Sequence, residues 1–183
     1  EVFNQARHKK FSLDDSIQIV NNFSSLIDGS PYSLDISSDS DDSLYALLGK
    51  KESIRTLVYA MITVSSNLAT NLLLQKIAAR NVQRTMRGMG LKDIQILRGV
   101  EDSKAFDAGK NNTTTAKDLS IVYEKLARKK LVSRKACDEM LDVLLHQKFN
   151  EMIPGMLPKK VKVAHKTGSI TGVQHDSGII NLP

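Results

Sequence analysis

The chain has 183 residues, 41% hydrophobic and 25% charged, with one cysteine, no tryptophan and a formal net charge of +6. That composition excludes a disordered or collagenous chain, and no stretch approaches the roughly 18 apolar residues of a membrane-spanning helix. The lone Cys137 excludes an internal disulfide and a cysteine-based metal site.

Most of the chain reads as helix. Val2, Phe3 and Ala6 suggest the tail of a helix. Asp14 or Asp15 can cap a segment with apolar positions at Ile17, Val20, Leu26 and Ile27. Ser30 to Ser43 holds six Ser and four Asp and reads as an exposed loop; as a calcium loop it lacks the Gly at position six and the Glu at position twelve. Leu44, Leu47 and Leu48 form a short turn stopped by Gly49. Ile54, Leu57, Val58, Met61 and Ile62 fall on one stripe, the clearest helix. It breaks at residues 64–67 (VSSN), because Ser and Asn compete with helical hydrogen bonds.

A new apolar set runs through Leu68, Leu72, Leu73 and Ile77, and a third helical stretch through Val82, Met86 and Met89 ends near Gly90. Residues 91–112 lose periodicity. Thr115 to Asp118 resembles a capping box with Asp in place of Glu, opening a helix with Leu119, Val122, Tyr123 and Leu126. Ser133 can cap another, with Cys137, Met140, Leu141, Leu144 and Leu145 inward, which makes Cys137 an inert core residue. Beyond Pro158 the character changes. Residues 160–166 (KVKVAHK) alternate as a strand, Gly168 and Gly172 bracket a turn, and Gly178 to Leu182 reads as a second strand. Helices followed by an antiparallel pair predict an α+β fold, with a mainly helical part over residues 1–158 and a strand pair over 159–183.

A pI near 9.4 raises the question of a nucleic-acid partner. The densest basic cluster, Arg128 to Lys130 with Arg134 and Lys135, straddles a helix end, where cations complement the dipole. No aromatic residues interleave with it to stack bases, so no nucleic-acid partner is expected. His8 and His146 have no ligand spacing and His175-Asp176 lacks further ligands, so no metal and no cofactor are expected. Strand alternation turns His165 away from its neighbour Lys166 and into packing.

Two short motifs carry the chemistry. Ser65-Ser66-Asn67 sits at a helix junction, and Lys166-Thr167-Gly168 sits on a strand entering a turn. In that order, about a hundred residues apart, they resemble the second and third motifs of the serine β-lactamase and penicillin-binding-protein superfamily, a motif set known for class A β-lactamases. The segments LVYAMITVSSNLATNLLLQKI, NNTTTAKDL and HKTGSITGVQHDSGII are similar to the family's helix junction, post-loop helix and inner strand hairpin.

The resemblance implies a helical domain packed on an antiparallel sheet with the site between them. It implies a serine hydrolase acting through an acyl-enzyme on β-lactams or related amides. Ser65 would relay a proton, Asn67 would hold the substrate amide, Lys166 and Thr167 would meet its carboxylate, and Gly168 would let its backbone approach. The alternatives are a penicillin-binding D-alanyl-D-alanine peptidase and an inactive cell-wall-binding scaffold. A β-lactam or a peptidoglycan stem peptide is the expected partner, to a monomeric protein in the periplasm or secreted.

Two family patterns are missing. No Ser-x-x-Lys occurs, so the resemblance places the nucleophile helix ahead of Glu1, and a closing strand and helix after Pro183. No Glu-x-x-x-Asn occurs either; within the omega-like loop, residues 98–112, Glu101 is the candidate water-activating base, with a solvated loop acid as the plain alternative.

Overall fold

The computed structural model describes residues 1–182. Among the described residues seven α-helices, α1 (Val2–Arg7), α2 (Ile54–Thr63), α3 (Asn67–Ile77), α4 (Ala79–Gly88), α5 (Ser103–Asp107), α6 (Ala116–Ala127) and α7 (Arg134–Leu145), accompany three antiparallel strand pairs. These are β1 (Ser16–Gln18) with β4 (Lys51–Ser53), β2 (Phe23–Ser24) with β3 (Pro31–Tyr32), and β5 (Lys162–Ile170) with β6 (Val173–Asn181). The α+β expectation holds.

The α2 stripe buries Ile54, Leu57 and Val58 against Leu68, Leu72, Leu73 and Ile77 of α3. Leu57 and Leu68 are fully buried, each worth about 1.5–3 kcal/mol over an exposed position. A second cluster joins Leu126 of α6 and Cys137 and Leu144 of α7 to Ala164 of β5, which seats the long hairpin on two helices. Cys137 is core, its thiol donating to Leu131 O.

The helix expected after Asp14 does not form. Ser16–Gln18 is a strand paired with Lys51–Ser53, and Leu26 and Ile27 are exposed. Half-buried Ile17 and fully buried Ile19 obey the two-residue period of a strand, and β-branched residues favour it. Asp28-Gly29 turns the chain into β3, with Gly29 at a φ of +72° that a side chain would resist. At the other end β5 runs through Gly168 to Ile170, so the turn is Thr171-Gly172 alone and Gly168 lies within the strand. The capping box is half made. Thr115 Oγ1 accepts from Asp118 N, but the Asp118 carboxylate turns away to accept from Asp93 N and Ile94 N at 2.8 and 2.7 Å, pinning the loop before α6.

In the basic cluster, Arg128 pairs with Glu124 and Lys129 with Asp138. Residues 98–112 are not wholly irregular, since α5 forms within them under an Asp102 cap.

Candidate active site

The junction between α2 and α3 is built around a strained residue. The N–H groups of Val64 and Ser66 both return to Ala60 O, and Ser65 between them takes a left-handed φ of +57°. Ser66, fully buried, caps α3 by accepting from Ala69 N. The first turn of α3 carries no acid of its own. Asp39 supplies one from the serine-rich loop, accepting from Asn67 N and Leu68 N, each at 2.9 Å. A carboxylate at a helix N-terminus satisfies orphan donors and complements the dipole. Burial, together with Asp39, pushes the Tyr45 phenol that donates to the same carboxylate well above its ordinary value.

Lys166 reaches this junction from β5. Its ammonium donates to Ser65 Oγ, from a residue 101 positions away, and to Thr167 O at 2.6 Å. Burial pushes Lys166 down to about 8, opposed by the attraction of Asp176. An amine in that range exchanges protons near neutral pH, and the hydroxyl it touches can carry one.

Glu101 forms the facing wall. Its carboxylate accepts from Asn67 Nδ2 at 3.2 Å and from Asp35 N at 2.9 Å, on a backbone with a φ of +61°. Buried Asn71, one helical turn beyond Asn67, holds the preceding residue: its Oδ1 accepts from Val100 N at 2.7 Å and its Nδ2 donates to Val100 O at 3.0 Å. Asp102 is turned away and buried, accepting from Ser25 Oγ, Leu26 N and Ala105 N. Burial works to raise Asp102, yet these donors hold it below the usual carboxylate range.

Ser65, Asn67, Glu101, Lys166, Thr167 and Gly168 all line one cavity of about 920 Å³. The structure thus brings every candidate residue to one place. A smaller cleft of about 420 Å³ between α1, α2 and α7 holds none of them. At Gly168, the space a Cβ would fill is taken by the imidazole of His175, its cross-strand partner, so its bare backbone serves that close contact. His165 is buried and bonded to Asp176, as packing requires. Among the described residues no group of three or more metal-ligating side chains converges.

Three residues escaped sequence reasoning. Asp39 lay in a stretch read as loop, and only the acid-free first turn of α3 hinted at a distant cap. Asn71 is a polar residue within an apolar stripe, a pattern that signals a buried hydrogen-bonding role. Asp176 was weighed only as a metal partner of His175, and nothing local in the sequence ties it to His165.

A family model described as the beta-lactamase enzyme family matches residues 1–183. No curated protein matches the chain. Among solved structures, a β-lactamase from Sphaerobacter thermophilus is 25% identical with a TM-score of 0.80; all of this chain aligns to 64% of it. PBP-A, solved as a point mutant in an acyl-enzyme complex with penicillin G, is 23% identical with a TM-score of 0.76, over 100% of this chain and 63% of that one. A β-lactamase from Chitinophaga pinensis is 22% identical with a TM-score of 0.78, over 100% and 67%. The chain therefore spans a little under two thirds of the length of the first two. The latter two likenesses concern the fold alone.

Proposed function

This chain belongs to the beta-lactamase enzyme family, and from that premise we propose that it is a serine acyl-transfer hydrolase acting on β-lactams or related amides. One observation carries the reading: the Lys166 ammonium rests on Ser65 Oγ inside a cavity shared with Asn67 and Glu101. Acyl transfer needs a proton moved from the attacking hydroxyl to the leaving nitrogen. With Lys166 near 8, about a tenth of it is neutral at pH 7. Ser65 passes its hydroxyl proton to the leaving nitrogen as the Lys166 ammonium, which donates to Ser65 Oγ, replaces it, and the neutral amine left behind takes up a proton again from the solvent. The ammonium form, with the Thr167 hydroxyl, binds the substrate carboxylate. Asn67 holds the substrate amide, and Glu101 activates water for deacylation. The nucleophile itself, absent as Ser-x-x-Lys from these 183 residues, must reach the cavity from another segment.

A second reading is favoured by the residue four positions after Glu101. It is Ala105, fully buried, so no amide stands there to hold a water beside the carboxylate. Slow deacylation would follow, as in a penicillin-binding D-alanyl-D-alanine peptidase. Incubating the full-length gene product with a chromogenic cephalosporin and a fluorescent penicillin decides between them. Turnover supports the hydrolase, and a persistent adduct supports the peptidase. Neither turnover nor adduct overturns both and leaves a non-catalytic cell-wall-binding scaffold. A periplasmic or secreted location, and action as a monomer, are part of the proposal.

A further inference from the structure

We infer that the serine-rich loop is a positioning element of this cavity: residues 35–39 hold the Asn67 amide and the Glu101 carboxylate in a fixed orientation to each other.

The loop meets both residues within five positions. Asp35 N donates to Glu101 Oε2 at 2.9 Å, and Ser38 O accepts from Asn67 Nδ2 at 3.3 Å. Asp39 Oδ1 accepts from Asn67 N, and its Oδ2 from Leu68 N, each at 2.9 Å. Asn67 Nδ2 also donates to Glu101 Oε1 at 3.2 Å, which closes a ring through three distant parts of the chain. The ring uses what each group can offer. An amide nitrogen carries two hydrogens, and both have acceptors here, Ser38 O and Glu101 Oε1. Each oxygen of Glu101 has one of these donors, so neither side chain turns without giving up a bond.

A loop positions other groups only if it is itself held. Leu34, just ahead of it, is buried and clamped by Asn21, which accepts from Leu34 N at 2.7 Å and donates to Leu34 O at 2.9 Å. Inside the loop, the Asp35 carboxylate caps the short turn Ile36–Ser38 by accepting from Ser37 N. Ser and Asp favour such local bonds, so the composition that marks a loop also stiffens this one. Behind it, Leu44 and Tyr45 are buried, and Tyr45 Oη donates to Asp39 Oδ2 at 3.1 Å. The loop is therefore largely exposed yet fixed at both ends, and Ser38 and Ser40 line the same cavity as Asn67 and Glu101.

The inference rests on the acyl-transfer reading only for its consequence on rate, so the first measurement needs no substrate. In full-length 15N-labelled protein, the Asn67 side-chain amide is identified by its loss in Asn67→Asp. Both of its protons are expected to exchange with solvent about 10-fold or more slower than those of exposed Asn22. Asp35→Pro removes the N–H that meets Glu101, at a φ of −83° that lies near the range proline holds. It is expected to speed one Asn67 proton and leave the other slow. Asp35→Ala keeps that N–H and is expected to retain wild-type exchange at both. Asp39→Ala is expected to speed both, and Asp39→Asn, which keeps an acceptor, to restore part of the protection. Circular dichroism checks that each variant is folded, and the Asp39 pair carries the test if the proline variant is not.

With a fluorescent penicillin, Asp35→Pro is expected to slow release about 10-fold with attachment unchanged, and Asp39→Ala to slow both steps. Fast exchange at Asn67 in the wild type, one common pattern in all four variants, or an Asp35→Ala that matches Asp35→Pro overturns the inference. A wild type that shows the slow exchange yet forms no penicillin adduct counts against the acyl-transfer reading alone.

Discussion

Replacing Lys166 with methionine is expected to stabilise the fold at pH 6.5 and destabilise it at pH 9.5. Burial pushes the ammonium from 10.5 to about 8 while Asp176 attracts it. At about 1.4 kcal/mol per unit, holding the charged form in the folded chain costs about 3 kcal/mol. Below pH 8 the lysine is protonated in both states and the whole cost is present. Between 8 and 10.5 the folded chain has released the proton and the unfolded chain has not, so stability rises with pH; above 10.5 both are neutral and the cost is gone. About 2 kcal/mol of that rise falls between pH 6.5 and 9.5. Against it stand the hydrogen bonds to Ser65 Oγ and Thr167 O, lost in the variant at about 1 kcal/mol each. The balance is a gain of about 1 kcal/mol for Lys166→Met at pH 6.5 and a loss of similar size at pH 9.5. Urea unfolding of both full-length proteins at the two pH values measures it. A difference of the same sign and size at both would refute the argument.

Asp39→Ala is expected to cost about 1–3 kcal/mol in chemical denaturation, since it leaves Asn67 N and Leu68 N without their acceptor, and Asp39→Asn should recover part of that. Asn71→Leu, which releases Val100, is expected to cost a similar about 1–3 kcal/mol. It should also slow release of a bound fluorescent penicillin while leaving the rate of its attachment unchanged. Ser65→Gly is expected to raise stability by up to about 1 kcal/mol by relieving the left-handed backbone. The same change should slow penicillin attachment by about 10²-fold or more through loss of the hydroxyl, whereas Ser65→Ala should lose the rate and gain no stability.

What the sequence revealed depended on the range of the forces involved. The α2 stripe and the break after it were legible because periodicity and capping are local; Ile54, Leu57 and Val58 sit where the period puts them. The first fifty residues were not, because β1 and β2 are two or three residues long and exist only through partners supplied elsewhere. With so few positions, Ile17, Val20, Leu26 and Ile27 fit a helical wheel as easily as two strands. The site was legible as motifs, but its supports were not. Asp39 caps a helix 28 residues downstream, and a cap that does not adjoin its helix leaves no pattern in the sequence.

Those supports explain how the site keeps a strained serine. A non-glycine residue in left-handed backbone costs on the order of 1–3 kcal/mol and persists only where its surroundings over-determine it. Ser65 is held from three sides. Asp39 fixes the start of α3 behind it, Ala60 O receives the N–H groups on either side of it, and Lys166 grips its hydroxyl. Relaxing φ to the ordinary region would rotate the Cα–Cβ bond and carry Oγ away from the ammonium. The strain is therefore the condition for the contact, and glycine, which would remove the strain, would remove the hydroxyl with it. The same logic applies across the cavity, where Glu101 also takes a left-handed φ and Asn71 clamps the residue before it. Both strained residues face one cavity, and polar side chains from other parts of the chain anchor each. A chain selected only for stability would retain neither.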